Sequence, residues 1–245
     1  MNSERLMKRR TRRDFLVFGA AAAAAIGGWE WLMHAPEDGG VQSPLRRVLG
    51  FDRRVTSRLL FSEGHLAPEF PRDRVEPIIV NGDYGIDKEL DPAAWKLELT
   101  PYSGGASPSI LNLDDIRRLP KVEQTTEFKC IEGWSKIVNW GGARLSDFTA
   151  RYAPGSEKAG FVGLVTPDQE YFVGIDMPSA LHPQTLLCYE MNGKPLEPGH
   201  GAPLRLITPV KYGIKNLKRI GRMTYQDHPP RDYWAEEGYD YYAGL

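Results

Sequence analysis

Two cysteines in 245 residues leave this chain without a disulfide framework. No C-x-x-C pair and no H-E-x-x-H stretch offers zinc its usual ligands. An excess of charge is also missing. Lys+Arg number 31 and Asp+Glu 32, so a net charge of −1 gives no global field for nucleic acid. Disorder is excluded by the same balance together with 41% hydrophobic residues. No internal repeat or low-complexity tract follows the N-terminal segment, which argues against a solenoid. What the chain does have is length enough for one large domain or two small ones. Its 25 glycines and 19 prolines point to many turns rather than a helical bundle.

The even charge hides an asymmetry. Six of the 31 bases but only three of the 32 acids lie in the first 33 residues, which leaves the remainder at net −4. Met1–Arg13 is polar and basic, and from Phe15 the text becomes FLVFGAAAAAAIGGW. A charged segment followed by an apolar one of this length has the layout of an export signal. Thr11-Arg12-Arg13-Asp14-Phe15-Leu16 matches the twin-arginine pattern, whose signals are addresses read by a receptor. Residues 1–35 are therefore expected to be a twin-arginine signal that uses that export machinery and delivers the chain to the periplasm or the outer face of the inner membrane. Cleavage at Ala23-Ala24-Ala25 and retention as an anchor, with Trp29 and Trp31 at the bilayer interface, both stay open.

Residues 36–74, with Arg46, Arg47, Arg53, Arg54 and Arg58, read as a loop-rich, solvated leader. One mixed α+β domain is expected over 75–245, strand-rich with few short helices. Pro77-Ile78-Ile79-Val80 reads as a short buried strand ending in the turn Asn81-Gly82-Asp83. Strands are also expected over 95–99, 122–130, 161–166, 186–191, 204–207 and 223–225. Leu113–Leu119 reads as a short helix capped by Asn112 and stopped by Pro120, and Leu145–Tyr152 as another.

Cys130 closes an alternating strand within Phe128-Lys129-Cys130-Ile131-Glu132-Gly133-Trp134-Ser135. A strand end opening into a loop is where a scaffold presents a side chain to a cleft. Lys129 and Lys136 nearby would favour a thiolate. A disulfide to Cys188 and a free thiolate, suited to a soft metal or to nucleophilic work, both remain open on spacing alone. Lys211, Lys215 and Lys218 have the spacing of one solvated helical face. The aromatic residues Trp134, Trp140, Tyr225, Tyr233 and Trp234 read as core, Trp134 being the candidate for something else.

Cys-x-Glu-Gly-Trp-Ser at 130–135, a Trp-Gly-Gly turn at 140–142, and LLCYEMNGKPLEPGHGAPLRLITPVKYGIKNLKRI followed by PPRDYWAEEGYD are together specific. They resemble the molybdopterin-binding domain of the sulfite oxidase family, from about Pro77 to Tyr241. The resemblance implies that family's fold and a molybdenum-molybdopterin cofactor, a pyranopterin dithiolene whose metal is ligated by Cys130. It implies cofactor contacts from His200 and Arg205, from the loop Asn216-Leu217-Lys218 at the phosphate end, from Asn81, Tyr84 and Gly85 over the pterin, and from Thr166 at a strand end. Arg is suited to bidentate recognition of phosphate or pterin edges.

Sulfite oxidases themselves are matched only in part. They set their cysteine in a Cys-x-Gly-Asn context and carry a C-terminal dimerisation domain, and neither that domain nor a haem domain is expected here. The exported single-domain bacterial members are more similar. That likeness implies two-electron oxygen-atom transfer that reduces S- or N-oxides such as methionine sulfoxide, free or protein-bound. Electrons would come from a membrane haem- or quinol-linked subunit. Sulfite-type oxidation and a catalytically inactive exported binding module are the alternatives. Glu132 or Lys136 could handle protons near the metal.

Overall fold

The structure is a computed structural model and describes residues 3–38, 41–60, 64–86, 90–102 and 107–244. The chain divides into two compact units, Met1–Phe61 and Ser62–Leu245.

The first unit begins with one long helix, α1 (Ser3–Met33), whose segment Thr11–Met33 is long and apolar enough to cross a membrane. A two-residue pair, β1 (Glu37–Asp38) with β2 (Val41–Gln42), leads into α2 (Ser43–Leu60). This helix corrects the reading of 36–74 as loop-rich. Leu45, Val48, Leu49 and Val55 recur at helical spacing, and Pro44 is tolerated in a first turn. The run of arginines, themselves good helix formers, masks that period when the segment is read for charge alone.

The second unit is built from two five-stranded sheets. Its elements in order are β3 (Leu97–Thr100), β4 (Ser109–Leu111), α3 (Leu113–Arg117), β5 (Lys121–Lys129), β6 (Ser135–Arg144), α4 (Leu145–Tyr152), β7 (Phe161–Val165) and β8 (Phe172–Asp176). Then come α5 (Met177–Ala180), β9 (Leu186–Met191), β10 (Lys194–Pro195), β11 (Arg205–Ile207), β12 (Arg222–Gln226) and α6 (Tyr233–Glu236). One sheet is antiparallel in the order β10-β9-β6-β5, with β11 sharing the outer edge of β9. The other is mixed, β4-β3-β12-β7-β8, with β12 parallel to β3. This is the mixed-sheet α+β architecture that the strand-rich sequence implies. The main core lies among Leu97, Leu99, Phe148, Leu164, Ile175, Leu206 and Met223, all nearly inaccessible. A smaller cluster, Val138, Trp140, Leu186, Cys188 and Ile207, backs the region described below.

Local chemistry accounts for several boundaries. Asn112 accepts from Asp115 N while the Asp115 carboxylate accepts from Asn112 N, a reciprocal cap that starts α3. Two expectations fail. Residues 77–80 form no strand, and Ile79 and Val80 are 61% and 57% exposed. Pro77 has no N–H for a ladder; the last bond to the sheet is Glu76 N to Ile137 O, 2.9 Å, and the turn that follows closes at 83–86 through Ile86 N to Asp83 O. Trp140-Gly141-Gly142 is no turn either. It lies inside β6, where the register against β9 shifts between the two glycines. A Cβ at Gly142 would sit 2.2 Å from Leu187 O, so the close strand approach requires glycine there.

Candidate functional site

The longest hairpin in the molecule, β5 with β6, ends in the loop 130–134. Cys130 N donates to Trp134 O at 2.9 Å and Gly133 N to Cys130 O at 3.1 Å. Gly133 takes φ +91°, a region L side chains rarely occupy, so the tight return needs glycine. The loop thereby puts Cys130, Glu132 and Trp134 at one end of a cavity of about 300 Å³.

Cys130 is a free thiol with 9% of its surface exposed, and Cys188 is free and fully buried, so no disulfide joins them. Asn81 Nδ2 lies 3.7 Å from Cys130 Sγ and donates to Glu132 Oε2 at 3.0 Å. Trp134 Nε1 donates to the same carboxylate oxygen at 3.1 Å, which is 3.8 Å from the sulfur. Burial raises the Cys130 pKa above the ordinary thiol range. The expected lysine assistance is absent. Lys136 is bound to Glu76 at 2.6 Å, and Lys129 lies 3.6 Å from Glu127.

The opposite wall comes from residues 198–218. Arg205 opens β11, almost fully buried, donating to His200 O at 3.0 Å and Asn216 O at 3.3 Å. Its guanidinium stacks over Trp140 at 5.0 Å, and its Nε has no hydrogen-bond partner. Burial draws its pKa down to about 10. Lys218 Nζ donates to Asn81 O at 2.7 Å and Gly82 O at 3.0 Å, and burial followed by the Arg205 charge lowers it to about 8. His200 is pushed toward its neutral form by burial, Arg205 and Lys218. Asn216 is locked by Thr208 N to its Oδ1 and by its Nδ2 to Tyr212 O. Asn81 joins the two ends, its carbonyl on Lys218 and its amide on the thiol side.

Cys130, Asn81, Tyr84, His200, Arg205, Asn216 and Lys218 thus line one cavity. Gly85, Thr166 and Leu217 do not line it. Gly85 sits at φ +75° with Thr166 so close that a Cβ would fall 2.3 Å from its Cγ2; the pair shapes the turn carrying Tyr84. Thr166 Oγ1 is engaged with Asp168 and Tyr171. Leu217 is core, its carbonyl accepting from Leu206 N at 2.9 Å. Of the aromatic residues read as core, Trp140 and Tyr225 are core, whereas Trp134 and Trp234 line the cavity. Lys211 and Lys215 form no solvated face, since both are buried and ion-paired. Glu132, Tyr171, Ile214 and Tyr239 also line it. Only Glu132 had a signal in the sequence, its place two residues after the cysteine.

A free thiol at one end, with a buried guanidinium that keeps an unpaired N–H and a half-buried lysine at the other, defines a site for a bound group that brings negative charge and coordinates sulfur. The donor set fits a pyranopterin dithiolene carrying a phosphate. Among the described residues no cluster of three or more His, Cys, Asp or Glu could hold a metal without such a group.

Residues 84–234 match the family described as oxidoreductase molybdopterin binding domain, and the chain belongs to that family. It is an oxidoreductase of the sulfite oxidase type that uses molybdenum-molybdopterin. The putative protein-methionine-sulfoxide reductase subunit YedZ1 of Azospira oryzae is 35% identical over 85% of this chain and 79% of its own length. The protein-methionine-sulfoxide reductase catalytic subunit MsrP of Campylobacter jejuni is 29% identical over 99% of this chain and 82% of its own. Among solved structures, the sulfane dehydrogenase SoxCD of Paracoccus pantotrophus has the same fold. It gives a TM-score of 0.52 at 19% identity, over 58% of this chain and 40% of that one.

Proposed function

We propose that this oxidoreductase is exported by the twin-arginine route and reduces S- or N-oxides, methionine sulfoxide first among them, with Cys130 as the protein ligand of molybdenum. The observation that carries the reading is Cys130 itself, a free, nearly buried thiol facing a cavity whose far wall holds unpaired cations. When bound, the cofactor supplies two-electron oxygen-atom transfer. Overall the substrate R₂S=O takes up two electrons and two protons and leaves as R₂S and water. The electrons come from a membrane subunit, in keeping with the relatives being named as subunits of protein-methionine-sulfoxide reductases.

The chain's own residues bind, orient and shield. Lys218 and Arg205 would hold the phosphate end and the polar pterin edge, and negative charge there would reverse the depression of their pKa values. Asn81 donates toward the sulfur. On ligation the thiol must lose its proton, and Glu132 Oε2 is the carboxylate oxygen placed to take it. Lys136, committed to Glu76, is not. Trp134, Trp234 and Tyr239 present flat apolar surface at the cavity, which suits a thioether or sulfoxide side chain.

Protein made in a molybdopterin-competent host is expected to carry about one molybdenum per chain, the stoichiometry of a single thiolate ligand. Cys130→Ser should lose turnover with a dye donor while keeping its melting temperature. Full activity in that variant would overturn the ligand assignment. Turnover of sulfite in preference to sulfoxides would favour the oxidative reading instead.

A further inference from the structure

Helix α2 has a basic side and a mainly apolar side, and the apolar residues described on it are exposed. Val48, Leu49 and Phe51 are 57%, 52% and 59% exposed, and Leu45 and Val55 are 40% and 37% exposed. With a step of about 100° per residue, positions 45, 48, 49, 51, 55, 59 and 60 share one half of the circumference. All five arginine positions of the helix, 46, 47, 53, 54 and 58, fall in the other half. Asp52, its one acid, falls within the apolar half, and Ser43–Leu60 carries net +4. Exposed apolar residues opposite a basic face, at low net hydrophobicity, are the requirements for a helix lying in a membrane interface.

Its place in the chain points to the same occupant. α1 contains the membrane-spanning-length segment Thr11–Met33, and α2 starts at Ser43. The residues between them, 34–42, reach at most about 30 Å when fully extended. A chain whose α1 lies in a bilayer therefore holds α2 within reach of the headgroups.

We propose that α2 is an interfacial docking helix that seats on an anionic phospholipid surface, its apolar half in the acyl boundary and its arginines on lipid phosphates. It keeps the second unit beside the membrane without a second span. Basic residues near an anionic surface each add to the attraction, and the sum is lost without lipid charge.

The test uses the full chain in vesicles of phosphatidylcholine alone or of phosphatidylcholine and phosphatidylglycerol in equal parts, read by hydrogen–deuterium exchange. The basic start of α1 also meets anionic lipid, so the charge-reversal variant below is what isolates α2. Peptides covering 43–60 should exchange about tenfold more slowly on the anionic vesicles. Peptides covering 186–191 should not change. The R46E/R47E/R53E/R54E variant should lose the difference. Equal exchange on the two vesicle types overturns the proposal, as does protection that survives charge reversal. Protection in detergent that grows with protein concentration assigns the face to a second copy and overturns it too, and so does protection that needs a co-reconstituted membrane protein.

Discussion

Between Arg205 and Lys218 the chain buries two kinds of cation. Lys215 is 1% exposed, yet its Nζ meets Asp232 at 2.5 Å and Gly174 O at 3.1 Å, with the Tyr241 ring 4.4 Å away. Lys211 pairs with Asp176 at 3.3 Å. Arg205 and Lys218 donate to backbone carbonyls, Arg205 also lies over the Trp140 ring, and neither has an ion pair among the described residues. Burying a charge costs several kcal/mol unless a partner offsets it, so the two kinds cannot serve the same purpose. The paired lysines hold elements together. The unpaired pair lines a cavity, and under the function proposed above its compensation arrives as cofactor. The cysteines divide in the same way: Cys188 has an internal acceptor, Glu190 O at 3.0 Å, and Cys130 is offered to the cleft.

The contrast is broken most severely at Asp232. Its carboxylate accepts from Lys215, from Gly174 N and from Ala235 N, so it ties the 213–215 turn, β8 and α6 to one point. Asp232→Ala leaves a buried ammonium alone and should cost about 3–5 kcal/mol. Urea denaturation of the cofactor-free protein measures it. Arg205→Met removes a cation that has no carboxylate and fills much of the same volume, so the same experiment should show a loss of no more than about 2 kcal/mol. Its large effect belongs elsewhere, in molybdenum content. Equal destabilisation by the two variants would dissolve the distinction.

Much of this was legible before any coordinates. Asn112 and Pro120 bracket α3, and Leu145–Tyr152 matches α4 residue for residue, because caps and 3.6-residue periods are local signals. Cys130 and its wall were found through contiguous motifs, and seven of the ten named site positions do line the cavity. The failures share a cause. Ile78 and Ile79 line the cavity, Ile78 at the edge of the smaller core cluster, and composition cannot tell a cavity wall from a buried strand. Lys211, Lys215 and Lys218 mimic a helical stripe, but their partners, Asp176, Asp232 and the carbonyls of 81 and 82, are distant in sequence. Gly141 and Gly142 read as a turn because a bulge and a turn use the same residue.

A milder probe is thiol chemistry. Burial lifts the Cys188 thiol to about 12, and it donates internally, so it should stay inert in the folded chain. Cys130 also lies above its ordinary value but opens to the cavity. Cofactor-free protein at pH 8.5 should therefore yield one reactive thiol per chain with a disulfide reagent, lost in Cys130→Ser, and two after denaturation. Cofactor-loaded protein should yield none until unfolded. Rapid reaction of Cys188 in the native state would show that the two cysteines are not divided as the cations are.

The smallest effect tests Lys218, because it is partly solvated. Its folded pKa stands near 8, below the ordinary lysine value of 10.5, with burial the larger cause and Arg205 the second. Between those values the unfolded chain binds the proton more readily than the folded one, so stability rises with pH across that window. Below about 8 both states are protonated and the dependence vanishes. In cofactor-free protein the denaturation midpoint should drift upward from pH 8 to 10, and Lys218→Met should flatten the drift relative to the parent. Inorganic phosphate should flatten it too, since an anion beside Lys218 and Arg205 restores the charged form. An equal slope in parent and variant would mean that Lys218 already has its partner inside the protein, and would leave Arg205 as the only buried cation held open for the cofactor.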